Sequence, residues 1–345
     1  MKKLRIGIIG AGGIAQSRHI PVILKLSDRA SITAICDVNK DTAQLAAKKF
    51  GIRSVFTDYK EVFNEADAVV ICTPNKFHAE LTVAAMEAGL HVLCEKPMAM
   101  TADECRKMIE ARDRSGKVLA IAYHYRFMKE AQAAKKLISE DEIGLPFAAR
   151  ARAMRRRKVP GWGVFTNKEL QGGGSLIDYG CHLLDLSLWL LGNPEETEVS
   201  GTAYNTLSRM PGQVNLWGSF DHQSFHVDDH VTAYIKFANG ASLLFETSWS
   251  ANIEGDDEGL SLSGQNGGID LFPFSLNQSK HGMLLNTRPE WLPGEDDYAL
   301  AQAQNFIDSC LGREEFIVKA EEALQTTRII DAIYKSSEMG RREIF

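Results

Sequence analysis

Short apolar runs alternate with longer amphipathic stretches through the first third of the chain. This alternation is typical of the βα units that build a parallel sheet. The apolar runs predict five strands, at residues 4–9, 31–36, 68–72, 91–94 and 118–122. Helices are predicted between them, at residues 14–26, 40–50, 78–88 and 102–115, and glycines follow the last three as C-terminal stops (Gly51, Gly89 and Gly116). We therefore expect a doubly wound α/β domain with a parallel sheet over residues 1–122.

The remaining residues, 123–345, carry a different pattern. Runs with β-branched or alternating character predict strands at 147–154, 230–237 and 242–248. Asn239-Gly240 stands between the last two strands and is typical of a tight hairpin turn, which joins antiparallel neighbours. Amphipathic helices are predicted at 296–310 and 320–337. Because 345 residues also favour two domains of about 150 residues each, we expect a second, α+β domain with an antiparallel sheet.

Composition and charge narrow the range of partners. Hydrophobic residues make up 44% of the chain and charged residues 24%, which is typical of soluble globular proteins. The net charge of −6 opposes the attraction to phosphate backbones on which nucleic-acid binding depends. No apolar stretch reaches the roughly 18 residues of a membrane span, and the six cysteines form no C-x-x-C pair. We expect a cytoplasmic protein with free thiols and without a metal, nucleic-acid or membrane partner.

A glycine-rich sequence follows the first predicted strand. Residues 10–15, Gly-Ala-Gly-Gly-Ile-Ala, match the G-x-G-x-x-A fingerprint of dinucleotide-binding turns, although an ordinary glycine-rich turn is the alternative. Glycine at position 10 permits the tight turn, and glycine at position 12 lets a pyrophosphate approach the backbone. Asp37 ends the second strand, where a carboxylate accepts ribose hydroxyls and repels the 2′-phosphate of NADP. The pattern predicts NAD as the cofactor, while Asn39 and Lys40 just beyond leave use of NADP open.

Three further segments join the fingerprint along the chain. They are Thr-Pro-Asn-Lys-Phe-His at 73–78, Glu-Lys-Pro at 95–97, and 172–192, which contains Asp-Tyr-Gly-Cys-His at 178–182. With them the chain resembles the glucose–fructose oxidoreductase, inositol dehydrogenase and MocA family of nicotinamide-dependent sugar and cyclitol oxidoreductases. The resemblance implies a Rossmann domain followed by an α+β domain whose large, mostly antiparallel sheet is open on one face. That face is commonly the oligomer interface in the family, so a homodimer or homotetramer is implied.

The resemblance also implies a cofactor site. Its contacts come from the fingerprint, from segments that follow predicted strands, and from an arginine after the last strand of the first domain (Gly10, Gly12, Gly13, Ile14, Asp37, Thr73, Pro74, Asn75, His78, Glu95, Lys96 and Arg126). Lys96 follows the strand 91–94, at the edge of the sheet where open α/β folds bind ligands. A solvated lysine in a surface turn is the alternative interpretation. Pro97 disfavours helical backbone at Lys96, and the family often has a cis peptide bond there.

Asp178, His182 and Asp185 are spaced so that a helix would present them on one face. Two carboxylates and an imidazole across an otherwise apolar helix are costly unless they face water or a ligand. From the residues alone, two alternatives stay open. His182 could be a core histidine with its hydrogen bonds made, and Asp178 could form a capping box with Ser175. The resemblance implies that Lys96, Asp178 and His182 are catalytic. In that mechanism His182 removes the hydroxyl proton, Asp178 orients it or binds an adjacent hydroxyl, and Lys96 stabilises the alkoxide.

Substrate contacts are expected from the three catalytic residues and from three further side chains (Tyr125, Arg156 and Trp162). Six positive charges lie within residues 150–158 of an otherwise acidic chain. A solvated strand beside the acidic segment 254–258 would explain them. In the alternative, one or two of the arginines, with Arg156 as the candidate, face the pocket and select an acidic sugar. Trp162 either stacks on a sugar ring or anchors its own loop.

Three functions are compatible with these features. The leading hypothesis is an NAD(P)-dependent dehydrogenase or reductase that acts on a carbinol of a sugar, cyclitol or sugar acid. A regulatory sensor that binds NAD without turnover is the second, although a sensor has no need of Lys96, Asp178 and His182 together. The third is an enzyme that recycles tightly bound NAD within one turnover, as a sugar–sugar oxidoreductase or a glycosidase.

Overall fold

The computed structural model of the protein describes residues 3–345, and the chain divides into two compact units. The first unit comprises Met1–Phe127 and Glu295–Leu324, and the second comprises Met128–Gly294 and Gln325–Phe345. This division differs from the two continuous domains expected from the sequence, because the first unit includes a segment from the C-terminal part of the chain. Helix packing partners of this kind depend on contacts that no local sequence pattern encodes.

A six-stranded parallel sheet forms the centre of the first unit. Its strands are β1 (Leu4–Ile9), β2 (Ala30–Cys36), β3 (Ser54–Phe56), β4 (Ala68–Ile71), β5 (His91–Cys94) and β6 (Leu119–Ile121). They lie in the order β3-β2-β1-β4-β5-β6. The order reverses between β1 and β4, and the carboxyl ends of the strands at such a point bind ligands in doubly wound sheets. The five predicted strands are confirmed, whereas β3 is not predicted because its three half-buried residues show no alternation.

A nine-stranded sheet forms the centre of the second unit. Its strands are β7 (Pro146–Met154), β8 (Glu196–Tyr204), β9 (His230–Phe237), β10 (Ser242–Ser248), β11 (Asp257–Gly264), β12 (Gly268–Leu271), β13 (Phe274–Lys280), β14 (Met283–Thr287) and β15 (Glu343–Ile344). They lie in the order β14-β13-β12-β11-β7-β10-β9-β8-β15. Among the described strands of this sheet, β7 and β10 pair in parallel and the other neighbours are antiparallel. The expected, mostly antiparallel sheet is confirmed, including the hairpin that Asn239 and Gly240 form between β9 and β10.

Local sequence signals explain where the helices begin and end. In chain order they are α1 (Ile20–Lys25), α2 (Lys40–Phe50), α3 (Tyr59–Phe63), α4 (His78–Glu87), α5 (Ala102–Ser115), α6 (Lys129–Ser139), α7 (Lys168–Gln171), α8 (Cys181–Leu191), α9 (Tyr298–Cys310) and α10 (Ala320–Met339). Thr101 and Glu104 form a capping box at the start of α5. Gly51 and Gly116 adopt left-handed φ angles of 71° and 64° at the C-terminal ends of α2 and α5, as the sequence predicts.

The two faces of the second sheet have different surroundings. All residues of α8 are buried, and this helix packs against β7 on one face. A helix that is apolar on every side is suited to such a position in a core. Tyr204, Tyr234 and Leu244 are exposed on strands of the sheet, in agreement with the predicted open face. Among residues 3–345, no helix has both the length and the apolar character needed to cross a bilayer.

Candidate active site

The fingerprint turn follows β1 and has the geometry that a dinucleotide needs. The amide of Gly10 donates to the carbonyl of Cys36 at 2.8 Å. Gly10 has a φ of 93°, and a Cβ built on it would lie 2.7 Å from the carbonyl carbon and oxygen of Cys72. A Cβ on Gly12 or Gly13 would meet no atom within 4 Å. Position 10 therefore needs glycine for the fold, whereas positions 12 and 13 leave backbone open to an approaching pyrophosphate.

Asp37 follows β2 and lies beside the fingerprint. Its Oδ2 accepts the amide of Ala11 at 2.8 Å, and its Oδ1 accepts the amide of Asn39 at 2.9 Å. Ile14 leads into a π-type helical turn, Ala15–His19, which continues as α1. The carboxylate keeps free lone pairs for ribose hydroxyls, since each oxygen can accept more than one hydrogen bond. The residues present therefore fit NAD, because the glycine turn leaves its backbone open to the pyrophosphate and the carboxylate of Asp37 lies beside it for the ribose.

The segment after β4 is tied to the Glu-Lys-Pro segment by a buried imidazole. Pro74 precedes, and Asn75 begins, a short 3₁₀ turn. The Nδ1 atom of His78 lies 2.8 Å from the carbonyl oxygen of Pro97, and its Nε2 atom lies 3.0 Å from that of Thr73. Burial lowers the pKa of His78, and the two carbonyls offset this only in part. A neutral ring donates to one carbonyl at a time, so His78 links the two segments rather than carrying charge.

Glu95 and Lys96 follow β5. The carboxylate of Glu95 is buried, with Oε1 2.7 Å from Nε2 of His19 and Oε2 accepting the amide of Lys96 at 3.1 Å. Burial alone would raise the pKa of Glu95, but the hydrogen bond from His19 and the charges of His19, Arg18 and Lys96 outweigh it and hold the pKa well below its usual range. The peptide bond between Lys96 and Pro97 is cis. Glu95 thus orients the backbone that presents Lys96, and sequence reasoning missed His19 because its partner lies 76 residues away.

The segment after β6 is a 3₁₀ turn, His124–Phe127, that contains two predicted site residues. Arg126 is fully buried and forms an ion pair with Glu322 within the first unit. The ring of Tyr125 lies edge-on to that of His124, with the centroids 5.1 Å apart. The ion pair gives Arg126 a structural role in this unit, and contacts of Arg126 and Tyr125 with cofactor or substrate stay predictions.

The helical segment that carries Asp178 and His182 begins differently from the capping box considered above. Ser175 is itself in helical conformation, and its hydroxyl donates to Oδ2 of Asp228 at 2.8 Å. The same carboxylate accepts the amides of Gly174 at 2.7 Å and Leu176 at 2.9 Å, and the hydroxyl of Tyr334 at 2.6 Å. The capping-box interpretation is therefore wrong. Asp228 satisfies this helix start from 54 residues away, and nothing in the local sequence indicates it.

Asp178 lies on a π-type turn, Leu176–Gly180, directly before α8. Its Oδ2 accepts the indole N–H of Trp249 at 3.1 Å and lies 3.9 Å from Nη1 of Arg155. Trp249 is fully buried, so it holds the carboxylate from a rigid position. His182 is buried on the first turn of α8. Lys96 belongs to the first unit, and Asp178 and His182 belong to the second.

The basic run at residues 150–158 begins in β7, continues beyond it and divides into outward and inward side chains. The amide of Arg156 donates to Asp256 at 2.9 Å, and its guanidinium donates to the carbonyl of Glu254 at 2.8 Å. Lys158 pairs with Asp256 as well. The acidic segment therefore partners much of this run, as one of the two interpretations expected. Arg155 is the member that turns toward Asp178, which the sequence did not distinguish from its neighbours.

Trp162 lies in the loop between β7 and α7 and is about half exposed. Its ring centroid lies 5.4 Å from that of Trp217 and 6.2 Å from that of Phe165. An indole that belongs to an aromatic cluster yet remains open to solvent can both anchor its loop and offer a face to a ligand.

Within residues 3–345, no group of three or more histidine, cysteine or acidic side chains is arranged to hold a metal ion. All six cysteines are free, and five are buried. Burial is the main cause that raises the pKa of Cys36, at the end of β2, to about 11, and the charge of Asp37 adds to it.

Two family models match the chain. One, described as an oxidoreductase family with an NAD-binding Rossmann fold, matches residues 4–123. The other, the C-terminal alpha/beta domain of the same family, matches residues 135–344. The chain belongs to the glucose–fructose oxidoreductase, inositol dehydrogenase and MocA family. The protein is therefore an oxidoreductase with an NAD-binding Rossmann domain.

The similarity to individual members of this family covers nearly the whole chain. The D-glucoside 3-dehydrogenase of Escherichia coli (strain K12) is 36% identical over 342 residues, which cover 98% of this chain and 97% of that protein. The crystal structure of an aldose-aldose oxidoreductase from Caulobacter crescentus, complexed with glycerol, has a TM-score of 0.83 and 25% identity and covers 100% of both chains. Levoglucosan dehydrogenase in complex with NADH has a TM-score of 0.85 at 23% identity over 99% of each chain, which shows the shared fold.

Proposed function

We propose that the protein is an NAD-dependent dehydrogenase that oxidises a secondary carbinol of a glucoside or a closely related sugar derivative. The observation that carries this proposal is the likeness to D-glucoside 3-dehydrogenase over 98% of the chain. We expect oxidation at the hydroxyl on the third carbon of the glucose ring, because that relative is named a 3-dehydrogenase. The same residues serve the reverse reaction, reduction of the ketone.

Lys96, Asp178 and His182 are the proposed catalytic residues. When bound, NAD supplies the nicotinamide carbon that accepts the hydride from the carbinol carbon. His182 takes the hydroxyl proton, because an imidazole nitrogen can both accept a proton and return it. Asp178, which Trp249 holds in place, orients His182 or binds an adjacent hydroxyl of the sugar. Lys96 stabilises the developing alkoxide with its positive charge, and Glu95 holds the backbone from which Lys96 extends.

Asp37 supports NAD rather than NADP as the preferred cofactor. Its carboxylate already accepts two backbone amides beside the fingerprint, which hold it in a fixed orientation. A 2′-phosphate at that position would meet this negative charge without a facing arginine in the fingerprint itself. We propose NAD as the working cofactor and a lower activity with NADP.

Absorbance of NADH tests the proposal. The purified protein with NAD and methyl glucosides, inositols, neutral aldoses and uronic acids is expected to form NADH with the glucosides. Lys96→Ala should lower kcat about 10²–10³-fold, the loss typical of one electrostatic contact to a developing oxyanion, without losing NADH binding in a thermal-shift assay. Lys107→Ala, an exposed lysine of α5, serves as the matched control and should keep full activity.

Two outcomes would overturn this function. A protein that binds and releases NADH but shows no turnover on any substrate would favour a sensor. Cofactor that co-purifies and does not exchange with added NAD would favour an enzyme that recycles its cofactor within one turnover.

We also propose a homodimer or homotetramer that works in the cytoplasm on small molecules, without a nucleic-acid partner. The exposed Tyr234 and Leu244 on the open sheet face support an interface there, and the six free cysteines support a reducing compartment. The net charge of −6 argues against nucleic acid. Light scattering coupled to size-exclusion chromatography measures the assembly, and a monomer at micromolar concentration would contradict the proposal.

A further inference from the structure

Two indole rings lie exposed on the second unit. Trp162 is 52% exposed and Trp217 is 37% exposed, and their ring centroids are 5.4 Å apart with planes tilted by 47°. Aromatic side chains of this size normally bury most of their area, so two of them in contact at the surface form an apolar platform. Such a platform suits a ring with one apolar face, which is what a pyranose presents.

The platform connects with the proposed catalytic carboxylate through a single side chain. The guanidinium carbon of Arg155 lies 4.5 Å from the ring centroid of Trp217 and 4.0 Å from that of Tyr179. Nη1 of the same guanidinium lies 3.9 Å from Oδ2 of Asp178. A ring stacked on Trp217 would therefore lie one side chain away from a ring whose hydroxyls reach Asp178.

Asp178 and Arg155, at the inner end of this series, are less exposed than the two indoles. The side chains of Asp178 and Arg155 are 19% and 18% exposed, which compares with 37% for Trp217 and 52% for Trp162. The inner end suits the sugar that reacts, and the outer end suits a group that need not be sequestered from water.

The loops that carry the two indoles are held together before any ligand binds. A Cβ on Gly161 would lie 2.7 Å from the carbonyl oxygen of Ser219 and from Cβ of Phe220. The backbones of the two loops are therefore too close together for a side chain at position 161. Asn215 accepts the amide of Val159 at 2.9 Å and donates to its carbonyl at 2.9 Å. A preformed platform costs little ordering entropy when a ring stacks on it.

We propose that Trp162 and Trp217 form an outer subsite that binds the second pyranose ring of a disaccharide, whose other ring is oxidised. This inference rests on the proposed function for the identity of the inner ring. It commits the enzyme to a preference for two-ring over one-ring glucosides, which the chemistry at Asp178 and His182 does not require.

The test compares matched substrates and matched tryptophan variants. Values of kcat/KM are measured for cellobiose against methyl β-D-glucoside, and for maltose against methyl α-D-glucoside, so that either linkage can reveal the subsite. In at least one pair the disaccharide should be favoured about 10-fold, which corresponds to about 1.4 kcal/mol. Trp162→Ala and Trp217→Ala should each bring the ratio close to 1, and Trp162→Phe should retain part of it. Trp291→Ala, at an indole that is 73% exposed in another loop, should leave the ratio unchanged.

Because the ratio compares two substrates of one variant, a general loss of activity or of folded protein cancels. An equal ratio in wild type and in both alanine variants, with turnover of the methyl glucosides intact, overturns the subsite and leaves the proposed function standing. If no sugar is turned over, calorimetric titration with the same four ligands decides instead. Disaccharide binding that Trp162→Ala weakens about 10-fold supports the subsite without the dehydrogenase. Absence of binding, or binding that neither variant changes, overturns it.

Discussion

Replacing Asp228 with asparagine tests whether this carboxylate, rather than a local cap, holds the start of the catalytic helical segment. The buried carboxylate accepts four hydrogen bonds with its side chain, two on each oxygen. Asparagine keeps the shape but turns one oxygen into an NH₂ group. Two of the four donors then face another donor.

The size of the effect follows from those bonds. A hydrogen bond to a charged group contributes about 1.5–3 kcal/mol, so losing two should lower the free energy of unfolding of the second unit by about 3–6 kcal/mol. That is a large part of the 5–15 kcal/mol typical of a folded domain. Tyr334→Phe removes one donor to the same carboxylate and should cost about 1.5–3 kcal/mol. Burial and the neighbouring carboxylate raise the pKa of Tyr334, so its hydroxyl remains a donor at every working pH.

Urea unfolding followed by tryptophan fluorescence measures this effect selectively. All five tryptophans lie in the second unit, so the fluorescence transition reports its unfolding even if the first unit unfolds separately. Affinity for NADH should stay unchanged in Asp228→Asn, because the cofactor residues belong to the first unit. Asp221→Asn, at an exposed carboxylate, is the control and should change the free energy by less than about 0.5 kcal/mol. An unfolding free energy for Asp228→Asn within 1 kcal/mol of wild type would refute the reasoning.

Three further predictions concern the first unit. Gly12→Ala should weaken NADH binding about 10-fold without lowering Tm, because its Cβ enters open space at the cofactor turn. Gly10→Ala should also lower Tm, because Gly10 has a φ of 93° and its Cβ would contact the backbone closely. Calorimetry and thermal melts distinguish the pair, and equal melting temperatures would contradict this account. Glu95→Gln should destabilise the protein most above pH 4.5, the ordinary pKa of glutamate. Because the pKa of Glu95 is depressed in the folded protein, the stability that Glu95 contributes with His19 is lost as pH falls toward that depressed value. Circular-dichroism melts from about pH 2.5 to pH 7 measure the difference, which a pH-independent gap would contradict. Cys36, with its pKa raised to about 11, should not react with a disulfide reagent at pH 8 until the protein unfolds. Rapid labelling of Cys36 itself in the native protein, located by peptide mass spectrometry, would count against its burial.

The sequence by itself determined the elements whose signals are local. The strands β1, β2, β4, β5 and β6 follow from apolar periodicity, and the ends of α2 and α5 follow from glycines that adopt left-handed φ angles. The hairpin at Asn239-Gly240 follows from its turn residues. The fingerprint with Asp37 at the end of β2 was recognisable because a dinucleotide turn places its chemistry within about 30 residues of chain. Each of these features depends on neighbours in sequence.

Only the tertiary structure decided which distant groups meet at the site. Asp228 accepts the donors at the start of the helical segment that carries Asp178, where the sequence offered a capping box of Ser175 with Asp178 as one alternative. Arg155 turns inward while Arg156 pairs with an acidic loop, although the two are adjacent in a run of like charges. The physical reason is that a buried polar group must have a partner, whichever part of the chain supplies it. Once the fold has formed, the energy of that contact does not depend on how far apart the two residues lie in the sequence.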